Sequence, residues 1–169
     1  EIRPEIEEVL DTCYYVLGPK VKAFEEAFAE LAGTKHCIAV SSGTAAVHSI
    51  VWAADMPAGS GILVPPNTFT ATVEGIMIAG HVPVFIDVDD EFLIDLGDAA
   101  SKITDRTTAI MPVHLYGLMV DMAELGRFAL SNQLVIVEDA AQATGARIND
   151  QIVGSIAHVT AFRFAGKPV

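Results

Sequence analysis

Cysteine is scarce in this 169-residue chain: only Cys13 and Cys37 occur, too few for a disulfide framework and without metal-ligand spacing. Basic residues are few as well. Lys and Arg total 10 against 22 Asp and Glu, a net charge of −12, which disfavours nucleic acid or an anionic membrane as partner. No apolar run approaches the ~20 residues of a spanning helix, and no signal-peptide pattern is present. The expected location is the cytoplasm. Polar low-complexity tracts are absent too, and 51% apolar content suits one globular α/β domain over residues 1–169 rather than disorder.

Several cofactor motifs are also missing. No G-x-G-x-x-G follows an early apolar run, so a dinucleotide fingerprint is excluded, and with it a nicotinamide-dependent enzyme is disfavoured. A phosphate loop ending at Gly166-Lys167 would need glycine and a hydroxyl residue where Ala161 and Pro168 stand. His36, His48, His81, His114 and His158 show no ligand spacing; they are expected at strand ends or on the surface, with no metal site. No G-x-S-x-G elbow occurs.

What remains is alternation. Val21, Phe24, Phe28 and Leu31 recur at helical spacing before Gly33, a stop signal. "CIAVSS" reads as a strand, "GTAAVHSIVWAA" as a helix, "GILVPP" as a strand and "TFTATVEGIMIAG" as a helix. "VPVFIDV" (strand), "DLGDAASKI" (helix), "TTAIMPVHLY" (containing a strand), "DMAELGRFALS" (helix) and "LVIVED" (strand) follow. Short continuous apolar runs separated by helices predict parallel strands covered on both faces. "ARINDQIVGSIAHVTAFRF" predicts short strands turning at Asn149-Asp150 and Gly154-Ser155. The chain then stops at "AGKPV" with no closing helix, which suggests a fragment.

Four places invite chemistry. In "VSSGTAAVHSI" a small-residue turn opens a helix near Gly43-Thr44; its unpaired N–H groups suit a phosphate, although an ordinary Ser or Thr cap is the commoner explanation of such a turn. Phe69 stands where an aromatic ring either packs into the core or stacks on a flat ligand. Asp139 ends an apolar strand, where open α/β sheets place their ligands. A carboxylate there needs a cation or several donors; capping of the next turn by Glu138 or Asp139 is the plain alternative. Gln142 lies within reach of the same space. Lys167 offers an amine able to join a carbonyl covalently, or is simply a surface lysine.

Taken in order, "YYVLGPKVKAFEEAFAELAGTKHCIAVSSGTAAVHS", "VPPNTFTATVEGIMIAGHVPVFIDVD", "TTAIMPVHLYG" and "VIVEDAAQATGA" resemble the DegT/StrS family of sugar aminotransferases. These are pyridoxal 5'-phosphate enzymes of the aspartate-aminotransferase fold. The resemblance covers almost the whole chain, and "EDAAQATGA" is its sharpest part. It implies a three-layer α/β/α, mostly parallel large domain, with a C-terminal small domain absent from this chain. It implies that Asp139 pairs with the pyridine nitrogen and that Gln142 lies near the ring oxygen. Thr44 and Ala45, beside Gly43, match the phosphate-binding turn, and Phe69 the residue that stacks on the ring. Lys167 matches the lysine that binds the cofactor covalently and moves protons in the reaction.

The implied substrates are an amino donor, often glutamate, and a keto-sugar, commonly nucleotide-linked. The implied partner is a second copy with shared active sites. "FRFAGKPV" departs from the family pattern: Arg163 stands where a phosphate-binding serine is expected, and the lysine arrives one residue early. A guanidinium can bind phosphate. A sugar dehydratase on the same scaffold, in which histidine replaces the lysine, and a non-catalytic ligand-binding relative are the alternatives.

Overall fold

A computed structural model describes residues 2–164, which fall into two compact units, one ending at Ala39 and one beginning at Val40. In the first, α1 (Arg3–Thr12) starts with a proline in its first turn, stops at Cys13 in the left-handed conformation, and buries no residue. The expected helix α2 (Pro19–Ala32) has Pro19 at its start and ends on Gly33 at φ 68°. There the Thr34 N–H donates to the Ala29 carbonyl at 2.9 Å, closing the helix as glycine in this conformation permits. Lys20 joins the two helices, its ammonium meeting Glu5 and, at 2.7 Å, Glu8.

In the second unit the chain runs α3 (Gly43–Ala53), β1 (Gly61–Val64), α4 (Thr70–Ile78), β2 (Val82–Phe85), α5 (Leu96–Lys102) and β3 (Thr107–Ile110). It continues through α6 (Met122–Ser131), β4 (Val135–Asp139), the short β5 (Arg147–Ile148) and β6 (Gln151–Ile152), and β7 (Val159–Ala161). Asp95 caps α5 and Asp121 caps α6, each accepting two backbone N–H groups. β5 and β6 form an antiparallel hairpin across Asn149 and Asp150, both at positive φ as a two-residue turn of this kind demands.

The five longer-range strands make one parallel sheet in the order β2-β1-β3-β4-β7. Alternation along each strand sends side chains to two cores. Ile62, Val64, Ala109, Met111 and Val137 pack with Val47, Ile50 and Val51 of α3 and Ile76 of α4. Leu63, Ile110 and Ile136 pack on the other face with Ala99 of α5 and Met122, Leu125 and Ala129 of α6. Helix, sheet and helix therefore form three layers. Both faces are dry, and this explains the continuous apolar runs; each buried aliphatic side chain contributes about 1.5–3 kcal/mol. β2, with Pro83 inside it, takes the edge, the place where a missing N–H costs least. The connections diverge at β1, with β2 on one side and β3 on the other, so the crevice for a ligand lies at the carboxyl ends of these strands.

The strand expected in "CIAVSS" is not formed. Among the described residues no neighbour pairs with this segment; Ile38 is 79% exposed, and the Ala39 N–H donates to the Glu25 carboxylate at 2.8 Å instead. An apolar run becomes a strand only when a ladder satisfies its backbone.

Candidate active site

Asp139 ends β4. Its backbone is clamped to the segment after β3, with the Asp139 N–H donating to the Pro112 carbonyl at 3.0 Å and the His114 N–H donating to the Asp139 carbonyl at 3.1 Å. The side chain is 5% exposed and faces α4. Its Oδ2 accepts the Thr72 hydroxyl at 2.7 Å, and its Oδ1 accepts the Ala141 N–H at 3.1 Å. One oxygen of the carboxylate thus caps the following turn, and the other meets α4. Thr72, 1% exposed, spends its only proton on Asp139, so in its 2.8 Å contact with Thr68 it accepts. This Thr68–Thr72–Asp139 relay escaped the sequence reading; its only trace there is a pair of threonines four apart at the start of a helix. Among the described residues no cation forms an ion pair with Asp139.

Phe69 occupies the cap position of α4 with its ring 62% exposed. It is not a core residue. The Arg163 guanidinium carbon lies 6.0 Å from the ring centroid. Gln142 is exposed, and its Oε1 accepts the Tyr116 N–H at 2.9 Å, which leaves the amide nitrogen to donate outward. Tyr116 holds a left-handed conformation (φ 56°, ψ 16°) inside the turn Leu115–Gly117. A non-glycine residue there costs about 1–2 kcal/mol, so this turn is held by its surroundings.

At the start of α3, Ser42 is the cap. Its Oγ accepts the Ala45 N–H at 3.1 Å and its carbonyl accepts the Ala46 N–H at 2.9 Å. The Ala45 amide is therefore engaged within the chain. Gly43 and Thr44, at the first two helical positions, have no intrahelical acceptor for their N–H groups. A side chain on Gly43 would put a carbon 3.2–3.3 Å from Cβ, Cγ and Cδ of Arg163, so glycine makes room for the arginine stem. Lys167 lies outside the described residues.

A second acid lies on the opposite face of β4. Glu138 is fully buried, its Oε1 accepting from His114 Nε2 at 2.6 Å and the Gly154 N–H at 3.3 Å, its Oε2 accepting the Thr160 hydroxyl at 2.6 Å. The Val120 N–H donates to His114 Nδ1 at 3.1 Å, so the ring proton that meets Glu138 sits on Nε2. His114 is interior, not the strand-end or surface residue expected from sequence, because Glu138 supplies the acceptor that makes its burial tolerable.

The residues present fit a flat, phosphate-bearing ring with a basic edge nitrogen. They offer a buried carboxylate that pairs with no cation among the described residues, an exposed aromatic face, an amide anchored at its oxygen, and a helix start beside an arginine. A model of the DegT/DnrJ/EryC1/StrS aminotransferase family matches residues 1–168. The chain is 41% identical over 165 residues to UDP-N-acetyl-3-dehydro-alpha-D-glucosamine 3-aminotransferase of Acidithiobacillus ferrooxidans, covering 97% of this chain and 45% of that one. It is 39% identical over 165 residues to dTDP-3-amino-3,6-dideoxy-alpha-D-galactopyranose transaminase of Aneurinibacillus thermoaerophilus, covering 97% and 46%. Among solved structures it is similar to NtdA from Bacillus subtilis with bound cofactor PMP, with a TM-score of 0.87, 33% identity, and coverage of 94% of this chain and 36% of that one. The chain spans less than half the length of these relatives.

Proposed function

The chain belongs to the DegT/DnrJ/EryC1/StrS aminotransferase family, and from that premise we propose that it is the pyridoxal-phosphate-binding large domain of an enzyme that moves an amino group from an amino acid, such as glutamate, to a keto-sugar. Relatives named for UDP-linked and dTDP-linked sugars support a nucleotide-linked acceptor. The working form is a cytoplasmic homodimer whose copies share active sites.

When bound, pyridoxal phosphate supplies a pyridinium ring that accepts electrons from the substrate carbon. Asp139 keeps the proton on the ring nitrogen, with Thr72 and the Ala141 N–H fixing the direction of the carboxylate. Phe69 covers one face of the ring and excludes water from it. Gln142 donates from its amide nitrogen to the ring oxygen while Tyr116 holds its other end. Gly43, Thr44 and Ala45 at the start of α3 receive the phosphate; for Ala45 this requires its N–H to be shared with, or released from, Ser42. Lys167 would be the covalent partner of the cofactor and the base that carries a proton between the amino donor's α-carbon and the cofactor's C4' carbon, and back again with the acceptor.

One observation carries this reading. A carboxylate 5% exposed at a strand end, held by a hydroxyl and an N–H but by no protein cation among the described residues, supports pairing with a cationic group of a ligand. The test is visible absorbance on mixing the protein with pyridoxal phosphate, followed by borohydride reduction and peptide mapping. A bound-cofactor band and a reduced adduct on Lys167 are expected, with glutamate depleting the band before reduction. An adduct on another lysine would refute the assignment of Lys167. Asp139→Asn should retain the fold and lower turnover about a hundredfold or more, as for other lost charges aimed at a reacting group; unimpaired turnover would refute the role of Asp139.

A further inference from the structure

Between β3 and α6 the chain turns at Leu115–Gly117, and His114, Leu115, Met119 and Val120 on either side of the tip are buried. Tyr116, at the tip, is 83% exposed. Hydrogen bonds fix the turn from several directions. The Tyr116 N–H donates to Gln142 Oε1 at 2.9 Å, and the Leu118 N–H donates to the Leu115 carbonyl at 3.0 Å. The Val120 N–H donates to His114 Nδ1 at 3.1 Å, while Nε2 of the same ring is held by Glu138. The loop is thus wound around a buried imidazole, and it keeps Tyr116 at φ 56° with Gly117 at φ 87° beside it. Glycine or asparagine would take this backbone at less cost. A tyrosine here bears the strain and leaves its ring outside the core, a combination that belongs to binding sites more than to packing.

We propose that Tyr116 is a specificity-determining residue for the acceptor, its ring receiving the pyranose face of the sugar. The inference rests on the sugar-aminotransferase reading above. The turn follows β3 and Gln142 follows β4, so Tyr116 stands beyond the carboxyl ends of two adjacent strands, on the rim of the crevice. In that reading Gln142 faces the cofactor ring, and the same side chain holds the Tyr116 backbone. The substrate group beside Tyr116 is therefore the one beside the reacting carbon. In a nucleotide-linked acceptor that group is the sugar ring, since the base lies beyond two phosphates. A pyranose presents C–H groups on its faces and hydroxyls around its edge, which suit an aromatic ring that carries a phenol. An open-chain amino donor has no such face, so the ring favours one of the two substrates that share the site.

The experiment separates the sugar from the nucleotide that carries it. Kd values are measured by titration calorimetry on the full-length protein loaded with pyridoxamine 5'-phosphate. The ligands are UDP-N-acetylglucosamine and dTDP-glucose, each compared with its parent diphosphate, UDP or dTDP. Wild type, Tyr116→Asn and Tyr116→Phe are tested, with circular dichroism checking the fold of each. Asparagine accepts the left-handed backbone, so Tyr116→Asn removes the ring and keeps the turn. It should weaken the sugar nucleotide that wild type binds about three- to tenfold, the worth of an aromatic contact, and change the matching diphosphate less than about twofold. Tyr116→Phe keeps the face and should retain most of the affinity. Equal weakening of sugar nucleotide and diphosphate, no weakening of either, or a loss in Tyr116→Phe as large as in Tyr116→Asn would overturn the inference. So would a weaker dimer in sedimentation with unchanged affinity per site, which would place the ring between copies of the chain. Failure of the wild type to bind all four ligands would overturn the nucleotide-linked reading first, and the inference with it.

Discussion

Replacing Thr72 with valine asks whether the carboxylate at the heart of the candidate site is held by the hydroxyl assigned to it. The two side chains have nearly the same shape, and Thr72 is 1% exposed, so the substitution opens no cavity and reads the hydroxyl alone. Removed with it are the 2.7 Å bond to Asp139 and the acceptor for the Thr68 hydroxyl at 2.8 Å. A bond to a charged acceptor is worth about 1.5–3 kcal/mol. The half-buried Thr68 can turn to water and costs little. The added buried methyl returns about 0.8 kcal/mol, so a net loss of about 1–2 kcal/mol is expected, or roughly 2–8 °C in Tm at this chain size.

Urea unfolding at constant slope measures it. The decisive arm is the same substitution in an Asp139→Ala background. With no carboxylate left to meet, the buried hydroxyl is a liability, and Thr72→Val should be neutral or stabilising. An equal cost in both backgrounds, or less than about 0.5 kcal/mol in the wild type, would refute the relay.

Gly75→Ala, inside α4, would set a Cβ 2.6 Å from Val47 Cγ1 and 3.1 Å from the His48 nitrogen. The overpacking cost of about 1–3 kcal/mol outweighs the gain of about 1 kcal/mol in helix propensity, and Val47→Ala in the same chain should recover part of the loss; a stabilised single variant would contradict this packing of α3 on α4. Glu138→Ala strips the acceptor from His114, Gly154 and Thr160 and should cost about 3–5 kcal/mol, as when a buried pair loses one member; unchanged denaturant midpoints would show the network to be inert. The Asp98 carboxyl is held below its usual range, first by Lys102 and then by the Asp87 N–H. Because its folded-state value is the lower one, its stabilisation is present above the ordinary carboxylate pKa and fades as pH falls through the folded value. Wild type and Asp98→Asn should therefore differ in urea midpoint at neutral pH and converge in acid; a constant gap across the titration would count against the Lys102 contact as the cause.

Gln142 and Asp139 could be picked out from sequence because both stand just beyond an apolar run, and strand β4 was visible because two dry faces leave no room for polar alternation. The same logic found β1 and β3, while the Gly33 stop and the Asn149-Asp150 turn followed from residue chemistry that acts over a few positions. It failed where the signal is not local. α1 buries nothing and so lacks a core-facing stripe to read. "CIAVSS" has the composition of a strand but no ladder.

Sequence alone thus determined the layer architecture, the acid at the strand end and the family. Tertiary structure decided who meets that acid and its neighbours: Thr72 across 67 positions, His114 on Glu138 across 24, and the stem of Arg163 on Gly43. Such contacts depend on strand order and on which face each side chain takes, and a parallel sheet sets both only when distant strands pair.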